Sequence, residues 1–240
     1  MIGGSGYTEN MSKGILVAGN DSALLSAVET EVAKRVERYA LAVIPNRFAA
    51  LRDKPSDIAV VFNSSLEKAR IPLGWNPGSP ASARAMLLAA ENDLEHIDEA
   101  ILVCSPPLVP CAVADLKPLD IEILVSDHVK SWLFLVKELT AGFKMRERGG
   151  ALFLVYPEAG GAKDAPPADI LGSAAVASFR SLTQKLLATV SDEEYTAQGF
   201  TGGEAGDETA FADFIFRQLD DAKRKANGKL HKYKRPDFSK

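Results

Sequence analysis

A doubly wound, mostly parallel α/β sheet with helices on both faces is what this sequence predicts, on three observations. An apolar run, Ile15-Leu16-Val17-Ala18, breaks at Gly19 and continues into a helical pattern from Ala23. Short apolar runs then alternate with amphipathic segments to the end of the chain, the order that builds a parallel sheet through crossover helices. Finally, the 240 residues carry 46% apolar and 25% charged side chains, the balance of an ordinary globular domain long enough to bury a full core.

The first element is a strand, a turn at Gly19-Asn20-Asp21-Ser22, and a helix in which Leu24, Leu25, Val28, Val32 and Val36 recur at helical spacing. Such an opening is that of dinucleotide-binding folds, where turn glycines let a pyrophosphate reach the N–H groups and positive dipole end of the helix. Of a G-x-x-x-G-x-G pattern only Gly19 remains; Ala23 and Leu25 stand at the other two positions, and a branched leucine obstructs close approach. The second strand, Leu41 to Ile44, closes with Pro45-Asn46-Arg47, and the strand, helix and strand demand a right-handed crossover. NAD-binding folds carry an acidic residue here for the ribose hydroxyls. Arg47 takes that place, which suits a 2′-phosphate and favours NADP over NAD; a solvated loop arginine is the plainer reading.

Two runs compete for the third strand, residues 58–62 and 71–75, and the pattern leaves the choice open. Ser79 reads as an N-cap with Pro80 at the first helical position, opening a helix to Leu94, and Ala100 to Cys104 is the fourth strand. A long helix from Ser126 or Val129 to Arg146 is apolar around most of its circumference through Val129, Trp132, Leu133, Leu135, Val136, Leu139 and Phe143. A helix of this kind is buried against the sheet and a further element such as a partner subunit. Gly149-Gly150 stops it before a fifth strand, Ala151 to Tyr156; a glycine-rich loop, 159–167, leads to a helix from Ile170 to Val190. Tyr195 to Phe200 reads as the sixth strand, Gly199 to Glu204 as a flexible connection in preference to a substrate lid, and Glu208 to Arg224 as an amphipathic helix. The last strand lies at Gly228 to His231, its lysines guarding an open sheet edge.

Composition narrows the function classes. A net charge of −4 gives no global attraction to nucleic acid or an anionic membrane, and the basic tail from Lys223 reads as solvated edge charge in preference to a nucleic-acid site. No apolar run approaches the roughly 20 residues of a membrane span. Cys104 and Cys111 are too few for a disulfide framework, and neither they nor His96, His128 and His231 carry a metal-ligand spacing, so no metal site and a reducing cytoplasm are expected. Residues 1–12 read as a tag or disordered leader, leaving 13–240 as a single domain.

Taken together, four stretches resemble the short-chain dehydrogenase/reductase family: Leu16-Val17-Ala18-Gly19, His96 to Val103, Val129 to Val155, and Ser173 to Phe179. The resemblance implies a Rossmann-type fold, a nicotinamide cofactor, NAD(P), and a homodimer or homotetramer joined through helices 129–146 and 170–190. It also implies that Gly19, Asn20, Asp21, Ser22, Arg47, Asn76, Cys104 and Ser105 line the cofactor. The family's catalytic parts are replaced throughout. Its Asn-Asn-Ala-Gly is Cys104-Ser105-Pro106-Pro107, its helix asparagine is Lys130, its serine falls at Tyr156-Pro157, and its Tyr-x-x-x-Lys pair falls on Asp169 and Ser173. In that pair the tyrosine donates a proton and the lysine lowers its pKa; an aspartate and a serine do neither. The expectation is a degenerate, non-catalytic ligand-binding or assembly subunit, with a small molecule as the ligand in the first case. The alternative is an NAD(P)-dependent oxidoreductase in which Lys130 and Tyr156 act as displaced catalytic residues, a lysine beside a phenol favouring the phenolate. Strand alternation sets its condition: Tyr156 must face the cleft.

Overall fold

The structure, a computed structural model, describes residues 13–48, 69–147, 149–158, 169–202, 207–221 and 226–234. Seven strands are formed in chain order: β1 (Ile15–Asn20), β2 (Tyr39–Ile44), β3 (Arg70–Leu73), β4 (Glu99–Val103), β5 (Ala151–Tyr156), β6 (Thr196–Gly202) and β7 (Lys229–Tyr233). They make one sheet in the order β3-β2-β1-β4-β5-β6-β7, and every neighbouring pair is parallel. The connecting helices are α1 (Ala23–Ala33), α2 (Pro80–Leu94), α3 (Pro118–Val125), α4 (Ser131–Lys144), α5 (Ile170–Thr189) and α6 (Glu208–Asp221).

Alternation along each strand divides the core in two, since successive side chains leave opposite faces. Leu16, Ala18, Ala42, Leu102, Leu154 and Tyr156 face one layer, packed with Met86 of α2, Trp132 and Leu135 of α4, and Phe179 of α5. Ile15, Val17, Leu41, Ile101, Val103 and Phe153 face the other, packed with Leu25 and Val28 of α1 and with Phe211 and Ile215 of α6. Because both faces are covered, β1 is buried at all six positions, which is why its sequence is a continuous apolar run and not an alternating one. On the α1 face a buried carboxylate, Glu29, accepts hydrogen bonds from Tyr39 Oη at 2.6 Å and Arg70 Nη1 at 3.3 Å, tying α1 to β2 and β3.

The predicted elements are present with three adjustments. The third strand is Arg70–Leu73, paired with β2, which overlaps the 71–75 run; residues 58–62 and the 159–167 loop lie outside the described residues. The long helix predicted from Ser126 or Val129 starts earlier. Pro118 opens α3, Asp120 accepts the Lys117 N–H at 3.2 Å, and a wide π turn, Ser126–Lys130, joins α3 to α4. Proline at the first helical position and a carboxylate three residues past the cap are start signals that the neighbouring apolar pattern masked. The sixth strand runs on to Gly202, so Gly199-Phe200-Thr201-Gly202 is strand and not a connection or a lid. Ser79 caps α2 through the Ser82 N–H and Pro80 opens it, as predicted. No helix among the described residues is long and apolar enough to cross a membrane.

Candidate functional site

In an open parallel sheet, ligands seat outside the carboxyl ends of the strands where the connections turn to opposite sides. Here that point lies between β1 and β4. Four segments arrive at it: the turn after β1, the exit of β2, the exit of β4 and the π turn between α3 and α4.

Asn20 ends β1 and is buried. Its Oδ1 accepts the Ser105 backbone N–H at 2.9 Å and its Nδ2 donates to His128 Nδ1 at 3.0 Å. The first bond fixes which way the amide points, so the second fixes the histidine: Nδ1 must be bare and the ring proton sits on Nε2. Burial pushes the His128 pKa down to about 4, so the ring is neutral at pH 7. Phe48 lies parallel to it, with centroids 5.9 Å apart and planes 7° apart. Beside this stack, Arg47 Nη1 donates to the buried Asp127 carboxylate at 3.1 Å. Burial raises the Asp127 pKa, with Arg47 opposing. The π turn permits this arrangement because it brings Asp127 and His128 both inward, and Ser131 Oγ holds it by donating to the Asp127 carbonyl at 2.6 Å.

Phe48 also belongs to a small apolar cluster with Val109, Ile123 and Leu171. Phe48 follows β2, Val109 follows β4, Ile123 lies on α3 and Leu171 is in the first turn of α5. The cluster therefore reaches from the β2 side to the β5 side over the carboxyl ends of β1 and β4. Asp169 braces its far end, accepting the N–H groups of Gly172 and Val109, each at 3.1 Å.

The remaining predicted cofactor-lining residues have internal partners. A side chain on Gly19 would meet Leu25 Cδ1 at 2.7 Å and the Val103 carbonyl oxygen at 2.9 Å, so the room this glycine leaves is filled by the chain's own leucine. Ser22 Oγ accepts the Leu25 N–H at 3.2 Å, engaging one of the helix donors that an anion would use. Asp21 places a carboxylate at the same helix end; burial raises its pKa, and its buried Oδ1 accepts no hydrogen bond from the described residues. Arg47, the residue that favoured NADP, is engaged by Asp127. Asn76 shapes the turn into α2, donating its N–H to Ser82 Oγ and accepting the Gly78 N–H. Cys104 is buried, with its thiol pKa raised, and Ser105 contributes its N–H to Asn20. As arranged, these residues do not fit a dinucleotide: the glycine cradle is filled, the helix end carries a carboxylate, and Phe48 covers the crevice.

The two displaced catalytic candidates are not brought together. Tyr156 does face the α4 and α5 layer, but it is 1% exposed and its ring meets Phe179 edge-on. Its hydroxyl is buried with no well-formed hydrogen bond from the described residues, and desolvation raises its pKa, with the Arg180 charge and the neighbouring Thr201 hydroxyl opposing. Lys130 is exposed at the end of the π turn. Asp169, at the position of the family's tyrosine, caps α5, and Ser173 one turn later is exposed. Among the described residues no group of three or more His, Cys, Asp and Glu side chains could hold a metal ion.

Sequence reasoning named Asn20 and Ser105 but not the partnership of Asn20 with His128. Asp127, His128, Phe48, Val109, Ile123 and Leu171 come together across separations that no local periodicity encodes; the one available signal was a phenylalanine directly after Arg47, where a polar loop was expected. Two further concavities lie elsewhere. One of about 650 Å³ opens at the amino ends of the strands, and among the charges lining it Lys13 pairs with Glu99 and Arg35 with Asp220. The other, about 420 Å³, is a groove between α4 and α5 lined by Val129, Trp132, Leu133, Phe179 and Leu182.

Neither a protein-family model nor a curated protein sequence matches the chain. Solved structures match its fold over nearly its whole length. A short chain dehydrogenase from Mycobacterium smegmatis aligns with a TM-score of 0.68 at 13% identity, covering 94% of this chain and 95% of that one. A short-chain type dehydrogenase/reductase from Mycobacterium marinum aligns at 0.70 and 14% identity, covering 92% and 94%. An NADH-dependent reductase in complex with NAD aligns at 0.67 and 14% identity, covering 92% and 95%. The chain has the Rossmann-type fold of these dehydrogenases.

Proposed function

We propose that this chain is a short-chain dehydrogenase-like protein without that family's chemistry, serving as a non-catalytic assembly subunit that pairs with a second copy through α4 and α5. The observation that carries the reading is the engagement of Asp169 and Tyr156. The residue at the family's proton-donor position is a helix cap tied to Gly172 and Val109, and the nearest tyrosine in the pattern is packed inside the core against Phe179. Neither is placed to give a proton to a bound carbonyl.

The assembly half of the reading draws on the groove between α4 and α5. Leu133 stands half exposed beside it, over a floor of Trp132 and Phe179. Burying such an apolar face against its own copy is the self-complementary contact of a two-fold dimer. The cysteines are unpaired, with Cys104 in the core, which accords with a reducing, cytoplasmic setting.

The test has two parts. Oxidation of NADH and NADPH is followed over a panel of aldehydes and ketones, and the mass in solution is measured by sedimentation. No turnover and a dimer or tetramer are expected. Turnover abolished by Tyr156→Phe would instead establish an NAD(P)-dependent oxidoreductase with displaced residues.

A further inference from the structure

We propose that the cavity at the amino ends of β1, β4, β5 and β6 binds a small organic amine with an apolar body, the ammonium group of the ligand lying at Glu37. This is the end of the sheet opposite the filled crevice, and the proposal does not depend on the assembly reading above.

The first residues of four strands build it. Ile15 opens β1, Glu99 opens β4, Ala151 opens β5 and Thr196 opens β6. All four line one cavity of about 650 Å³, within the range of roughly 300 to 1,000 Å³ that small-molecule sites occupy. Its walls stand where two helices end: Arg35, Val36 and Glu37 follow α1, and Phe216, Leu219 and Asp220 lie in the last two turns of α6. Arg35 fastens these ends together. Its Nη2 donates to Asp220 Oδ2 at 3.0 Å, and its guanidinium lies 4.4 Å from the centre of the Phe216 ring. The space is thus bounded by elements already tied to one another, as pre-formed sites are.

Floor and rim specify different parts of the ligand. The floor is apolar through the buried side chains of Ile15, Phe153 and Phe216, with the buried amide of Gln198 beside them. Gln198 Oε1 faces His231 Nε2 at 3.1 Å, so the imidazole donates there. The amide N–H groups of Gln198 then have no hydrogen bond among the described residues and are available to an acceptor on a ring-bearing ligand. The rim sets the charge. Three carboxylates, Glu37, Glu99 and Asp220, stand against two cations, Lys13 and Arg35. Lys13 pairs with Glu99 at 2.5 Å and Arg35 with Asp220 at 3.0 Å. Glu37 is exposed and has no ion-pair partner among the described residues. Both α1 and α6 also end at this opening, and the carboxyl end of a helix is the negative end of its dipole. A positive group answers both.

The experiment is calorimetric titration of the full chain with L-phenylalanine amide, which offers an ammonium group, a ring and a carbonyl acceptor. N-acetyl-L-phenylalanine is the matched control, keeping ring and carbonyl but carrying a negative charge. The parent is compared with Glu37→Lys, which reverses the free rim charge, and with Thr196→Trp. Thr196 is exposed at the start of β6, so an indole there fills the cavity without entering the core. Saturable binding of the amide is expected in the parent, binding weaker by about fivefold or more in Glu37→Lys, and none in Thr196→Trp. The acetylated anion should bind the parent more weakly than the amide by at least the same factor. An absence of saturable binding in the parent overturns the proposal, as does unchanged affinity in either variant or equal affinity for the two probes. If Thr196→Trp lacks a native circular dichroism spectrum, the surface variant Glu37→Lys and the anionic probe decide by the same criteria. These readouts are affinities for an amine, whereas the functional reading above falls on turnover or mass, so either can fail while the other stands.

Discussion

Asn20 holds His128 from across the crevice, its Nδ2 donating to the bare Nδ1 of the imidazole at 3.0 Å while its Oδ1 accepts the Ser105 N–H at 2.9 Å. One side chain at the end of β1 therefore sets both the exit of β4 and the protonation of the π turn. Replacing Asn20 by leucine leaves the Ser105 N–H and the His128 nitrogen without partners, a loss of about 1 to 3 kcal/mol, measurable by urea unfolding. Asn20→Asp has a different signature. A carboxylate can still accept from Ser105 but offers nothing to a bare Nδ1, so the imidazole takes a proton there and its pKa rises. Nitrogen NMR of the ring reads this directly.

The neutral state of His128 makes stability depend on pH. Folded, the ring titrates near 4; in the unfolded chain it titrates near its ordinary 6.5. Between those values the unfolded chain binds more protons, so this contribution is complete above about pH 6.5 and declines as pH falls toward 4. By pH 4.5 the decline amounts to about 2 to 3 kcal/mol. Unfolding free energies at pH 7.5 and 4.5 should differ by that much more in the parent than in His128→Gln, which keeps an acceptor for Asn20 and has nothing to titrate.

Gly19 is required by packing whether or not a nucleotide ever binds. Gly19→Ala drives a methyl group against Leu25 Cδ1 and the Val103 carbonyl, and overpacking of this kind costs about 1 to 3 kcal/mol. In a Leu25→Ala background the same substitution should cost less but not nothing, because the contact with the Val103 carbonyl, 2.9 Å away, remains. A double-mutant cycle in urea gives the difference.

The proposed assembly face is tested by one charge. Leu133 is half exposed beside the α4–α5 groove, so Leu133→Arg should be tolerated by the isolated fold and should disfavour burial against a second copy. Sedimentation should show the mass falling to that of a single chain, with the thermal midpoint of the subunit little changed at low concentration.

How far the site could be read from sequence depended on the range of the interactions. The caps Ser79 and Ser22 act within three residues, so their chemistry is written in adjacent positions. The third strand lay between two apolar runs that look alike, and pairing with β2 decided for Arg70–Leu73. The π turn left no periodic trace, since the apolar pattern around 126–130 reads equally well as continuous helix. Arg47 and Asp127 are 80 residues apart and Asn20 and His128 are 108 apart, which puts their partnership beyond any window of local pattern.

The sequence by itself determined the alternation of strands and helices and the two-faced burial of the central strands, because each is a matter of which side chains stand where. Only the tertiary structure decided what became of the ligand crevice. Whether Phe48, Arg47 and Leu25 line an opening or fill it depends on what meets them from β4, the π turn and α5, and those contacts exist only once the chain has closed on itself.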